Sequence, residues 1–156
     1  MTGDATFEDG RERPLNLGAR DAEDLKVVSA LVQDAVFPIT EMVWRASERR
    51  FAVLVNRFRW EDGARERHGP ERVRSLLVVD NALRAASQGI DRNDRDLVLS
   101  VLALTFEPDG DGGGQVLLTL AGDGAIRLDV EALEVTIKDV TRPYRAPARK
   151  APSHPG

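Results

Sequence analysis

The sequence predicts an α+β domain, mostly antiparallel, with six or seven strands in a small barrel or sandwich and an N-terminal amphipathic helix packed on it. Three observations carry that expectation. Between residues 36 and 140, runs of apolar and polar residues alternate with the period of a half-buried strand. Strong turn strings separate those runs, above all Pro108–Gly114 and Gly122-Asp123-Gly124. Ahead of them, one stretch has apolar spacings of three and four instead.

That stretch, Asp21 to Ala35, is the predicted helix. Asp21 suits the N-cap, and Glu23 and Asp24 put negative charge in the first turn, where the helix dipole favours it. Leu25, Val28, Val32 and Ala35 form one apolar stripe for a sheet to cover. Val36–Ala46 and Arg50–Trp60 follow as strands joined at Ser47-Glu48-Arg49. In the second strand Phe51, Val53 and Val55 share a face with Arg57 and Arg59, and Asn56 and Trp60 lie on the other. Residues 61–71 are a polar loop. Arg72–Val79 is the third strand, continuing towards Gln88 past a bulge or break at Asp80-Asn81, both poor strand formers. Ile90–Asp96 is a charged connection. Leu97–Phe106 is apolar on both faces, so a central, doubly covered strand is expected. Gln115–Ala121 and Ala125–Val130 form a hairpin whose glycines accept positive φ. In Glu131–Val140 the cluster Val135-Thr136-Ile137 favours a strand over a helix, with a register shift near Glu131-Ala132. The nearest fold-level analogy is the pleckstrin-homology arrangement, and such an analogy carries no function.

A chain of 156 residues is long enough for one domain with a real core, expected here over residues 17–141. Residues 1–16 have no periodicity and suggest a flexible lead-in. Residues 142–156 hold four prolines and no acid, the composition of a disordered basic tail. The net charge of −4 gives no bulk attraction to nucleic acid or an anionic membrane. Without cysteine there are no disulfides, thiolate nucleophiles or cysteine metal sites. Met1–Gly10 lacks the apolar core of a secretory signal, and no apolar run approaches the ~20 residues that span a bilayer. A cytoplasmic protein is expected.

Five segments resemble a bacterial family known only as a domain of unknown function, DUF2948. They are Asp21–Val36, Arg49–Glu61, Gly89–Arg92, Leu99–Pro108 and Ala125–Glu131. The string Asn-Arg-Phe-Arg-Trp-Glu at 56–61 is the most distinctive. Residues Leu76–Ala86 depart from the pattern in being more apolar. The resemblance implies an alphaproteobacterial, cytoplasmic protein and carries no activity.

The residues themselves offer few sites. Asp129, Glu131, Glu134 and Asp139, with Lys138 nearby, have the makings of a metal-dependent or acid–base centre, which needs clustered carboxylates on fixed strands. Against that, Asp129 and Glu131 alternate with Leu128 and Val130, placing them on a wet face where Arg127 offsets them. Arg57, Arg59 and Trp60 combine cations with a flat ring, as a single-stranded RNA platform requires. Glu61, Asp62, Glu66 and Glu71 dilute that charge. The glycines at 110–114 lead into a strand rather than a helix, which marks a hairpin and not a phosphate loop. The serines have no histidine in an ordered position, since His68 and His154 lie in segments expected to be flexible. Two histidines alone cannot build a metal site. No catalytic residue, metal or cofactor is therefore expected. The expected function is a non-enzymatic protein-binding or adaptor module. Its partner is another protein, with no membrane and no nucleic acid. Asn56, Arg57, Arg59 and Trp60 are the candidate binding surface, being residue types enriched at interfaces. Arg57 and Arg59, on a buried face, must either emerge at the sheet edge or pair with carboxylates such as Glu41 or Glu107.

Overall fold

The computed structural model describes residues 14–58, 71–141 and 144–145. Its first element is a strand the sequence did not signal, β1 (Asn16–Ala19). The helix follows as α1 (Ala22–Val32). Asp21 caps it as expected, its Oδ1 accepting from Asp24 N at 2.8 Å. Leu25, Val28 and Val32 are buried along one stripe. Each such side chain removed from water stabilises the fold by about 1.5–3 kcal/mol. The helix ends before Pro38, where Asp34 takes φ 68°.

The expected strand 36–46 is broken in two. Pro38 has no N–H to donate, and Ile39–Glu41 form a 3-10 turn between β2 (Val36–Pro38) and β3 (Met42–Arg45). The turn before Arg50 is the expected hairpin, with Arg49 at φ 54°. The long strands β4 (Arg50–Phe58) and β5 (Glu71–Val79) pair from Phe51↔Val79 to Phe58↔Arg72. At Asp80-Asn81 the chain turns a corner, with Asn81 at φ 62°, into β6 (Ala82–Gln88). There the Arg50 Nε donates to Asp80 Oδ1 at 2.8 Å. That hydrogen bond, and then the charge of Asp80, raise the Arg50 pKa, so Arg50 stays charged at any working pH.

The remaining strands are β7 (Val98–Pro108), β8 (Gly114–Leu120), β9 (Gly124–Val130), β10 (Val135–Asp139) and β11 (Tyr144–Arg145). The Glu131–Val140 segment is thus a strand, entered through a bend. β11 pairs with β5, so part of the segment expected as a tail joins the sheet. β7 differs from expectation too. Leu99, Val101 and Leu104 are buried, but Val98 is 59% and Leu102 46% exposed, so only one face is covered.

The strands form one antiparallel sheet of eleven, in the order β1-β10-β5-β4-β2-β7-β8-β9-β6, with β11 beside β5 and β3 beside β4. The mostly antiparallel α+β expectation holds. The sheet is open rather than a closed barrel, and has eleven strands in place of six or seven because short segments such as β1, β2 and β11 also pair. It curls enough that strands from both halves share one core cluster, from Val53 and Leu77 to Leu118 and Leu128. Helix α1 packs against β1, β4, β7 and β10. Ser29 on the helix accepts from Leu104 N at 2.9 Å. Among the described residues no helix is long and apolar enough to cross a membrane.

Candidate functional site

Arg57 sits near the end of the inward face of β4, where Phe51, Val53 and Val55 precede it at strand period. It is fully buried. Its Nε donates to Ser75 Oγ at 2.9 Å, and its Nη2 to Asp139 Oδ1 at 3.0 Å and Oδ2 at 3.3 Å. Ser75 Oγ donates in turn to Asp139 Oδ1 at 2.7 Å. Asp139 Oδ2 also accepts from Leu15 N at 2.8 Å, which ties the chain just before β1 to the same carboxylate. The geometry follows from register: β5 runs between β4 and β10, and Ser75 faces Val55 on one side and Asp139 on the other. Of the two fates open to an arginine on this face, pairing is the one Arg57 takes. Its partner is Asp139, while Glu41 and Glu107 are exposed. Arg57 therefore presents nothing to a partner at the surface, which corrects its place in the candidate binding surface.

Asn56 points the other way and is half-buried, lining a groove of about 280 Å³ with Pro38, Leu54, Arg74 and Val98. Arg59 and Trp60 lie outside the described residues. Arg72 stacks over Phe58, its guanidinium carbon 4.2 Å from the ring centroid.

The carboxylates do not converge. Asp129 pairs with Arg84 at 3.3 Å and with Arg127 at 3.5 Å, the offset expected from strand alternation. Glu131 pairs with Arg49 at 2.6 Å, and Glu134 lies 3.7 Å from Arg20. Asp139 belongs to the buried pair with Arg57. Each negative charge is matched by a different arginine. Among the described residues no three metal-ligating side chains stand together.

The most site-like feature is one the sequence did not signal. A cleft of about 260 Å³ lies where the curled sheet fails to close, between β3 and β6. Phe51, Ile126 and Ile39, all buried, form its depth. Met42 and Trp44 of β3 line one side, and Ala85, Ala86 and Ser87 of β6 the other. Arg92 and Arg95, from the charged connection, complete it. The start of β6 is pinned by Ala82 N donating to Arg49 O at 3.0 Å. Beyond that point, among the described residues, β6 pairs only with β9 and β3 only with β4. The small side chains at the two inward positions, Ala85 and Ser87, were the available sign, since a strand facing a filled core would carry larger ones there.

No curated protein and no solved structure matches the chain. A family model described as "Protein of unknown function (DUF2948)" matches residues 15–154. That span takes in all five resembling segments, from the helix to the β9 hairpin, and the chain belongs to the DUF2948 family.

Proposed function

We propose that the chain is a non-catalytic binding module whose ligand is another protein, and that the partner enters the cleft between β3 and β6. The observation that carries this is the cleft itself: an apolar depth opening between two strands that, among the described residues, each have an unpaired edge. Free edges are templates for another chain, and soluble proteins usually cover or blunt them. The metal and acid–base alternative, on Asp129, Glu131 and Asp139, has no comparable support, because those carboxylates are spread over separate arginine pairs. The RNA alternative loses Arg57 as a phosphate contact. The small-barrel reading of the fold returns here as part of the proposal, since a strand supplied by the partner would close the open sheet.

Ser87 is half-buried, sits opposite the buried Ile126 on the inward face of β6 and lines the cleft, so Ser87→Trp fills it. The expected result is an unchanged melting temperature with loss of a partner that wild-type protein captures and that rebinds as a purified component. A captured partner that binds Ser87→Trp as well as wild type would refute the cleft as the binding site.

A further inference from the structure

We infer that the cleft takes an extended, acidic segment of the partner, which adds as a strand to the free edge of β6 and places carboxylates on Arg92 and Arg95. This rests on the binding-module reading and specifies its ligand.

Size comes first. A cavity of about 260 Å³ is below the ~300–1,000 Å³ of pockets that enclose a whole cofactor or drug-sized ligand. It suits a few side chains on a backbone that remains outside. A strand delivers side chains in that way, every second residue pointing inward.

The edge comes second. β6 has seven residues and, past Ala82, pairs only with β9 among the described residues. Alternate residues of an antiparallel edge strand turn N–H and C=O outward. β6 lacks the usual defences of such an edge. It has no proline and no lysine, and Leu83 is 47% exposed. Its one charged residue, Arg84, is engaged with Asp129 of the neighbouring strand. The half-buried Ala85 and Ser87 are small, leaving space that a guest's side chains can fill.

Charge decides the chemistry. Arg92 and Arg95 line the cleft, both are exposed, and neither makes an ion pair or hydrogen bond among the described residues. The aspartates of the same connection are partly turned onto their own backbone. Asp91 Oδ1 accepts from Asn93 N at 3.0 Å, and Asp94 Oδ1 from Asp96 N at 3.1 Å. Among the described residues no carboxylate lines the cleft. The lining therefore carries two guanidiniums with no ion-pair partner among the described residues, and a guanidinium matches a carboxylate in a bidentate geometry that an ammonium cannot reproduce.

The test uses the full chain, labelled with ¹⁵N, and two synthetic peptides capped at both ends. One is Thr-Val-Glu-Val-Glu-Val-Thr, and the other has lysine at both glutamates. The glutamate peptide is expected to shift the backbone amides of residues 83–88, to bind at least tenfold more tightly than the lysine peptide, and to weaken as salt rises. Arg92→Glu with Arg95→Glu, on an exposed connection, should fold normally and reverse the preference. Equal binding of the two peptides, or a preference the double substitution leaves unchanged, overturns the inference. So does a response confined to the two arginines with β6 silent, or no binding by wild type. A concentration-dependent dimer abolished by Ser87→Trp would make a second copy the occupant and overturn it as well. If the native partner is lost with Ser87→Trp but indifferent to the arginine reversal, the binding-module reading stands and only this inference falls.

Discussion

Removing either end of the Arg57–Asp139 pair strands a charge inside the sheet. Breaking a buried pair on one side costs about 3–5 kcal/mol, because the remaining ion has neither water nor partner. Arg57→Ala should therefore lower the urea midpoint substantially, whereas Arg57→Met combined with Asp139→Leu should recover only part of the loss, since Ser75 Oγ and Leu15 N lose their acceptor. An Arg57→Ala protein as stable as wild type would show that the pair contributes nothing. The sequence placed Arg57 on an inward face, because strand alternation is local. It could not name Asp139, because that contact depends on β10 lying next to β5, a pairing no local pattern encodes. Gly89 makes a similar point at a turn. It has φ +71°, and a Cβ there would lie 2.6 Å from the carbonyl oxygen of Asp123. Left-handed backbone costs a side chain about 1–2 kcal/mol. With the contact added, Gly89→Ala should lower the melting temperature by several degrees, read by circular dichroism.

Strands differ in how well their edges are held. β5 has β4 along one side and β10 and β11 along the other, whereas β3 and β6 each have one paired edge among the described residues. Native-state hydrogen exchange should accordingly be slowest in β5 and markedly faster in β3 and β6. Amides of β6 as protected as those of β5 would mean that its edge is already covered. β11 contributes only the pairs Tyr144↔Arg72 and Arg145↔Glu71. Removing residues 142–156 should change stability by no more than about 1 kcal/mol, the net worth of a hydrogen bond or two. A larger drop in the thermal melt would assign the segment a structural role. Elements with a strong internal signal, such as α1 with its Asp21 cap and the β8–β9 hairpin, were legible in the sequence. The short β1 and β2 were not, because three or four residues show no period and become strands only through their neighbours. The β7 expectation failed for a related reason. Val98 and Leu102 are apolar, but hydrophobicity alone does not say whether anything covers them.

At the scale of the molecule, the cleft is a property of the path of the sheet, and the small residues Ala85 and Ser87 are its one local trace. It exists because β6 leaves β5 at the Asp80-Asn81 corner, joins β9, and does not rejoin β3. Most pairings in that path join distant parts of the chain, so folding should take milliseconds to seconds rather than microseconds, a range stopped-flow fluorescence of Trp44 can resolve. The Arg57–Asp139 pair adds a constraint of time. The two residues are 82 positions apart, and translation supplies roughly 5–20 residues per second. A guanidinium made early thus waits roughly 4–16 s for the carboxylate that permits its burial. During that wait β4 is already synthesised, yet the sheet cannot seat Arg57, and the nascent domain remains open to proteases and chaperones. Ribosome-bound chains halted just short of Asp139 should be digested readily, and those extended well beyond Arg145 should resist. Completion of this domain is governed by one of the last residues of its sheet to leave the ribosome.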